Sequence, residues 1–75
     1  MDSLLNLKNN TCAKIVSIDD SLPQNVIKRL KELGFVRGNK VKMLYKNNFA
    51  KSGIVAIYSG PISIDYKILQ SITVE

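Results

Sequence analysis

Six carboxylates, one thiol and no imidazole make up the acid–base and metal-binding supply of this 75-residue chain. The carboxylates are Asp2, Asp19, Asp20, Glu32, Asp65 and Glu75, scattered apart from one adjacent pair. Ferrous iron sites usually combine imidazole with carboxylate, and zinc or iron–sulfur sites need several thiolates or imidazoles. Cys12 alone satisfies neither, so no metal and no cofactor is expected to be held here, and Cys12 is expected to pack as a small hydrophobe on a strand. Catalysis is as poorly supplied. Thr11, Thr73 and the serines have no histidine to activate them, and no spacing pairs a lysine with a tyrosine as a substitute. Gly34, Gly38 and Lys40 form a GxxxGxK run, but the adjacent Lys-Ser/Thr pair that reaches phosphate and magnesium in a phosphate loop is missing. The residues read as those of a binding protein, not an enzyme.

What remains is positive charge. Eleven Lys and Arg against six Asp and Glu give a net charge of +5, which suits nucleic acid, an acidic protein or an anionic membrane surface. Lys28, Arg29, Lys31, Arg37, Lys40, Lys42 and Lys46 crowd the centre of the chain. Single-stranded nucleic acid would also want stacking aromatics. Of the five present, Phe35 and Tyr45 are expected in packing, which disfavours nucleic acid. Whether Phe49, Tyr58 and Tyr66 gather into a groove for proline-rich peptides is not legible in the sequence. The candidate partner contacts are Arg37, Lys40 and Lys42, together with Phe49, an apolar residue in a polar loop.

These residues must be positioned by a few short elements. Residues 1–10 are a lead-in with Leu4, Leu5 and Leu7 available to pack. Thr11 to Ile18 is rich in β-branched residues, as strands prefer. A helix over about 22–33 follows, with Ser21 and Gln24 spaced as a capping box, Pro23 in the first turn, and Leu22, Val26, Ile27, Leu30 and Leu33 as its apolar stripe. Gly34 is expected to stop it in the left-handed conformation, folding Phe35 back toward Leu30. Gly38 then starts a strand in which Val41, Met43 and Tyr45 alternate with Lys40, Lys42 and Lys46, with Leu44 breaking the polar set. So Leu30, Gly34, Phe35 and Gly38 form a corner between helix and strand. A polar loop over 47–52, a central strand over 54–58, a turn at Ser59-Gly60-Pro61, a strand at Ile62–Ile64, a helical turn over 66–69 and a closing strand at Ile72–Val74 complete the chain. The sum is one mainly β domain over 1–75, an SH3-like barrel of about five strands, since closure removes exposed sheet edges. The amino terminus has Asp2 where a signal peptide is positive, and no segment is long enough to span a bilayer. With its single cysteine, the chain is expected to be soluble and cytoplasmic.

The run Leu30-Lys31-Glu32-Leu33-Gly34-Phe35, followed by Gly38 and by alternating Val41 and Met43, resembles the central signature of the FeoA family. These are small cytosolic proteins or domains of bacterial ferrous-iron transport, similar also to the terminal barrel of certain metal-dependent repressors. The resemblance continues through Gly53, the Ile54–Tyr58 strand, Gly60, Ile62–Ile64 and Ile72-Thr73-Val74, and back to Leu7, Ile15 and Ile18. It differs at three places: Arg37 stands where a proline is common, Asn10 where a glycine is usual, and Ile64-Asp65 where a leucine-arginine pair is common. The resemblance implies an accessory of FeoB, a membrane protein with a cytosolic GTP-binding domain that moves ferrous iron. Contact would be between proteins, with the basic corner against an acidic face. Arg37 would then be the candidate for an arginine offered in trans to phosphoryl transfer, against the plainer reading of a solvated turn residue. The alternative function is a small basic barrel that binds nucleic acid or another protein without any link to iron. A homo-oligomer paired through a barrel edge stays open.

Overall fold

The computed structural model describes residues 2–58 and 60–75. Six strands, β1 (Asp2–Ser3), β2 (Thr11–Ile18), β3 (Lys40–Asn47), β4 (Ser52–Ile57), β5 (Gly60–Asp65) and β6 (Ile72–Val74), form one antiparallel sheet in the order β1-β6-β2-β3-β4-β5. Two helices interrupt them, α1 (Gln24–Leu33) and α2 (Tyr66–Gln70). The extra strand over the expected five is β1, two residues of the lead-in, which pairs Asp2 with Val74 and Ser3 with Thr73. A single 3₁₀ turn over Leu4–Asn6 then drops Leu4 into the core with no exposed surface.

β2 is the strand that curls the sheet. Its first half, Thr11 to Lys14, pairs with β3, and its second half, from Ile15 to Ile18, pairs with β6 across a register shift between Ile15 and Ser17. A bulge of this kind bends and over-twists its strand, so one strand serves both halves of the barrel. Among the described residues β1 pairs only with β6 and β5 only with β4. Closure is therefore not edge to edge: α2 packs against the 3₁₀ turn between them, with Leu69 fully buried.

α1 begins later than the capping pattern suggests. Its N-cap is Pro23, with φ −56° and ψ 144°, and no side chain caps it. Ser21 instead donates its backbone N–H to Asp19 Oδ1 at 2.9 Å, in a turn of its own. The proline rule outranks the serine rule here: the residue before a proline is pushed out of helical conformation, so Leu22 cannot be the first turn of a helix. The Pro23 carbonyl takes up the first helical N–H groups, those of Val26 and Ile27.

The far end of α1 follows its sequence closely. Gly34 has φ +111°, Phe35 N–H donates to Leu30 C=O at 3.0 Å, and Gly34 N–H donates to Lys31 C=O at 3.1 Å. This is the paired 6→1 and 5→2 bonding of a Schellman stop. It sends Phe35 into the core, fully buried with Leu30, Ile27 and Ile15. Four residues later a second turn reverses the chain. Asn39 N–H donates to Val36 C=O at 3.1 Å and Gly38 has φ +92°, with Arg37 at negative φ, which makes it a type II turn with glycine at its third position. The corner is tied down by Gly38 N–H to Ile15 C=O at 2.8 Å, Ile15 N–H to Asn39 C=O at 2.9 Å, and Asn39 Nδ2 to Gly34 C=O at 2.9 Å. Arg37 occupies the second position of that turn, where proline is favoured. Arg37→Pro is therefore expected to stabilise the fold by about 0.4–1 kcal/mol by restricting the unfolded chain. Urea denaturation checks this; a loss of stability would mean that the turn has another geometry.

Candidate partner-docking surface

β3 enters the sheet with Val41 and Met43 buried and Lys40 and Lys42 on the outer side. The alternation then breaks. Met43 pairs with Val55, but the next matched pair is Tyr45 with Ile54, so Leu44 is an extra residue and the register shifts there. Tyr45 is expected from the sequence to follow Met43 inward. The bulge instead turns it outward, 54% exposed beside Ile54 at 39%. Leu44, the residue that interrupts the polar set, is the only sequence signal for this bulge.

Past Tyr45 the hairpin closes through residues 48–51, and Phe49 stands at its tip fully exposed. The loop is well tied. Asn47 Oδ1 accepts the N–H groups of Phe49 and Ala50, both at 3.0 Å. Tyr66 Oη donates to Asn48 Oδ1 at 2.7 Å, and Tyr66 N–H donates to Lys51 C=O at 2.9 Å. Tyr66 therefore holds the loop from α2. Tyr58, 97% exposed, lies beyond the other end of β4, so Phe49, Tyr58 and Tyr66 do not form one groove.

The root of the hairpin is basic. Lys40 lies directly across from Lys14, and Lys42 from Cys12, on the outer face of β2 and β3. Like charges directly opposite each other cost stability, so this face is better satisfied with an acidic surface over it. Cys12 is exposed, not packed as expected, because Ala13 rather than Cys12 takes the inward phase opposite Val41. Glu75 is the one carboxylate in the same depression as Cys12, Lys14 and Lys40. Arg37 is exposed as well, but it lines a different depression, with Lys31 and Asp20 above Ile15 and Phe35. Of the four residues singled out from the sequence, Lys40, Lys42 and Phe49 thus share one hairpin, and Arg37 faces the helix side of its root. Lys14, Tyr45 and Ile54 join them without having been anticipated.

Among the described residues no three His, Cys, Asp or Glu side chains come together as a metal site would need. No helix among them is long and apolar enough to cross a membrane.

Solved structures with this fold include the FeoA protein of Chlorobium tepidum, with a TM-score of 0.86 at 27% identity over 97% of this chain and 68% of that one. The FeoA of Stenotrophomonas maltophilia, solved with zinc and described as a prokaryotic SH3 domain protein, has a TM-score of 0.84 at 26% identity over 100% of this chain and 91% of that one. A manganese-dependent transcriptional repressor contains a domain of the same fold, with a TM-score of 0.85 at 22% identity over 96% of this chain and 39% of the repressor. No curated protein sequence matches the chain. The FeoA domain family matches residues 3–75, nearly the whole of the chain, and a mainly β, SH3-like domain with these neighbours belongs to the FeoA family.

Proposed function

We propose that this protein is a cytoplasmic accessory of bacterial ferrous iron transport that acts by binding the cytosolic part of a FeoB-like transporter. It does so without catalysing a reaction and without holding iron. The Stenotrophomonas maltophilia relative has been put forward as a ferrous iron transport activating factor, and the family match extends over nearly the whole chain. The observation that carries the reading is the outer face of β2 and β3, where Lys14, Lys40 and Lys42 stand together beside an exposed hairpin. Such a face suits an acidic partner. Arg37 lies off this face, on the helix side of the hairpin root.

The test is capture of the protein by the cytosolic domain of the same organism's FeoB, at low and high salt, with random nucleic acid as the competing bait. Binding to the transporter domain alone supports the reading; no binding to it ends it. The double variant Lys40→Glu, Lys42→Glu is expected to weaken binding roughly tenfold at low salt, mostly through the association rate, and by less as salt screens the charges. Unchanged binding with unchanged salt dependence would remove this face from consideration.

One observation favours a second reading. Tyr45, Phe49 and Tyr58 are all exposed, so the aromatics for base stacking are better supplied than the sequence suggests. They are strung out, however, from the hairpin tip to beyond the opposite end of β4. Capture by nucleic acid in place of the transporter would support this reading.

A further inference from the structure

We infer that the tip of the β3–β4 hairpin is a preorganised peg, with Phe49 entering an apolar pocket rimmed by carboxylates on the transporter's cytosolic part. This rests on the proposed accessory role and adds to it the anchor and the chemistry of the surface that receives it.

Phe49 does not contribute to the packing of the domain, since its side chain is fully exposed and belongs to no part of the core. The loop that carries it is nonetheless held by four hydrogen bonds, two from backbone N–H groups to Asn47 Oδ1 and two from Tyr66 to either end of the loop. It contains no glycine, and Lys51 adopts φ +55°, a conformation that side chains rarely take. A loop tied in this way presents its apex in one conformation. Aromatic side chains presented rigidly are the residues that dominate interface energetics, because little ordering remains to be done on binding. Behind the tip, the bulge at Leu44 turns Tyr45 onto the outer face beside Ile54, which β4's own alternation places there, so apolar groups continue from the peg onto the hairpin.

Charge indicates what surrounds the pocket. Between Glu32 and Asp65 the sequence holds five cations, Arg37, Lys40, Lys42, Lys46 and Lys51, and no carboxylate. The other six cations are matched by the six carboxylates, so this one stretch, which comprises the corner, the hairpin and β5, accounts for the whole net charge of +5. Lys46 is turned toward the lead-in, its Nζ donating to Leu5 C=O at 3.2 Å. Lys51 beside the tip and Lys42 and Lys40 along the root remain to meet acidic groups. A protein pocket fits better than a lipid surface, since the loop around Phe49 holds Asn48, Ala50 and a single cation, Lys51, and one aromatic with one cation offers little to a bilayer.

The experiment measures binding of the full chain to the purified cytosolic domain of FeoB, with phosphatidylglycerol vesicles and random-sequence single-stranded DNA as parallel probes. Phe49→Ala is expected to keep the thermal midpoint of the parent while weakening binding about tenfold or more, through a faster dissociation rate. Tyr66→Phe removes only the hydroxyl that holds Asn48; it is a positioning residue, and its loss is expected to weaken binding by a few fold with Phe49 still in place. Parent-like affinity of Phe49→Ala would overturn the peg while leaving the accessory role standing. Absence of binding by the parent protein would overturn both. Phe49-dependent capture by vesicles or DNA, in place of the transporter domain, would also overturn the inference by showing a different occupant.

Discussion

Phe35→Ala is expected to destabilise this domain by about 3–5 kcal/mol, the range for truncating a buried phenylalanine. Among the described residues Phe35 is the largest fully buried side chain, and it sits where the helix stop, the type II turn and β2 converge. At about 0.05–0.15 kcal/mol per residue, a chain of 75 residues has a total margin of comparable size. The variant should therefore be largely unfolded at physiological temperature, with broad amide resonances and no cooperative urea transition. The cost is this high because the cavity cannot readily collapse: Ile15 and Gly38 beneath it are tied to each other through backbone hydrogen bonds. A cooperative transition shifted by less than about 1 kcal/mol, far below the cost of truncating a buried phenylalanine, would show that Phe35 does not latch the corner.

Gly34→Ala is expected to cost about 1–3 kcal/mol, the range for holding a side chain in a sparsely populated backbone region. The reason is conformational, not steric. A Cβ built at Gly34 meets nothing closer than Ile57 Cγ1 at 3.6 Å, ordinary van der Waals contact, while φ is +111°. Thermal unfolding should show a fall in Tm on the order of 10 °C for a domain of this size. Gly38→Ala is an informative companion, because no atom lies within 4 Å of its Cβ position and φ is +92°. A comparable loss there would come from the backbone alone. If both alanine variants kept the parent Tm, the corner between helix and barrel strand would not depend on left-handed glycines.

The corner is legible in the sequence because each of its rules is local. A glycine after an apolar stripe, an aromatic one residue on and a second glycine before an alternating run specify backbone signs and burial without knowledge of the rest of the chain. Asn10 shows the same logic from another side. It stands where the family usually has glycine, and it adopts φ +66°, a conformation asparagine tolerates better than most residues. At the start of α1 two local rules compete, and the restriction imposed by Pro23 on Leu22 overrides the capping pattern of Ser21.

The docking face is only partly legible. Lys40, Lys42 and Phe49 stand out by type, but their neighbours depend on pairings between distant strands. Lys14 comes opposite Lys40 only because β2 folds against β3. Tyr45 comes out only because Leu44 is squeezed from the ladder, and a period-two reading has no means of placing that slip. The habits of its residue type point Cys12 inward, whereas phase along β2 turns it out. The helical stop and the core thus follow from neighbours in sequence, and the surface follows from neighbours in space.

On the proposed reading, the outer face of the β3–β4 hairpin is where this protein would meet a FeoB-like transporter. The most direct measurement is a titration of the ¹⁵N-labelled protein with the unlabelled cytosolic domain of FeoB, followed through the backbone amide resonances. Shifts and broadening are expected to concentrate at Lys14, Lys40, Lys42, Tyr45, Phe49 and Ile54, with the outer face of α1 at Lys28 and Glu32 unaffected. Perturbations confined to α1 and its flank against β5, with the hairpin silent, would contradict the claim.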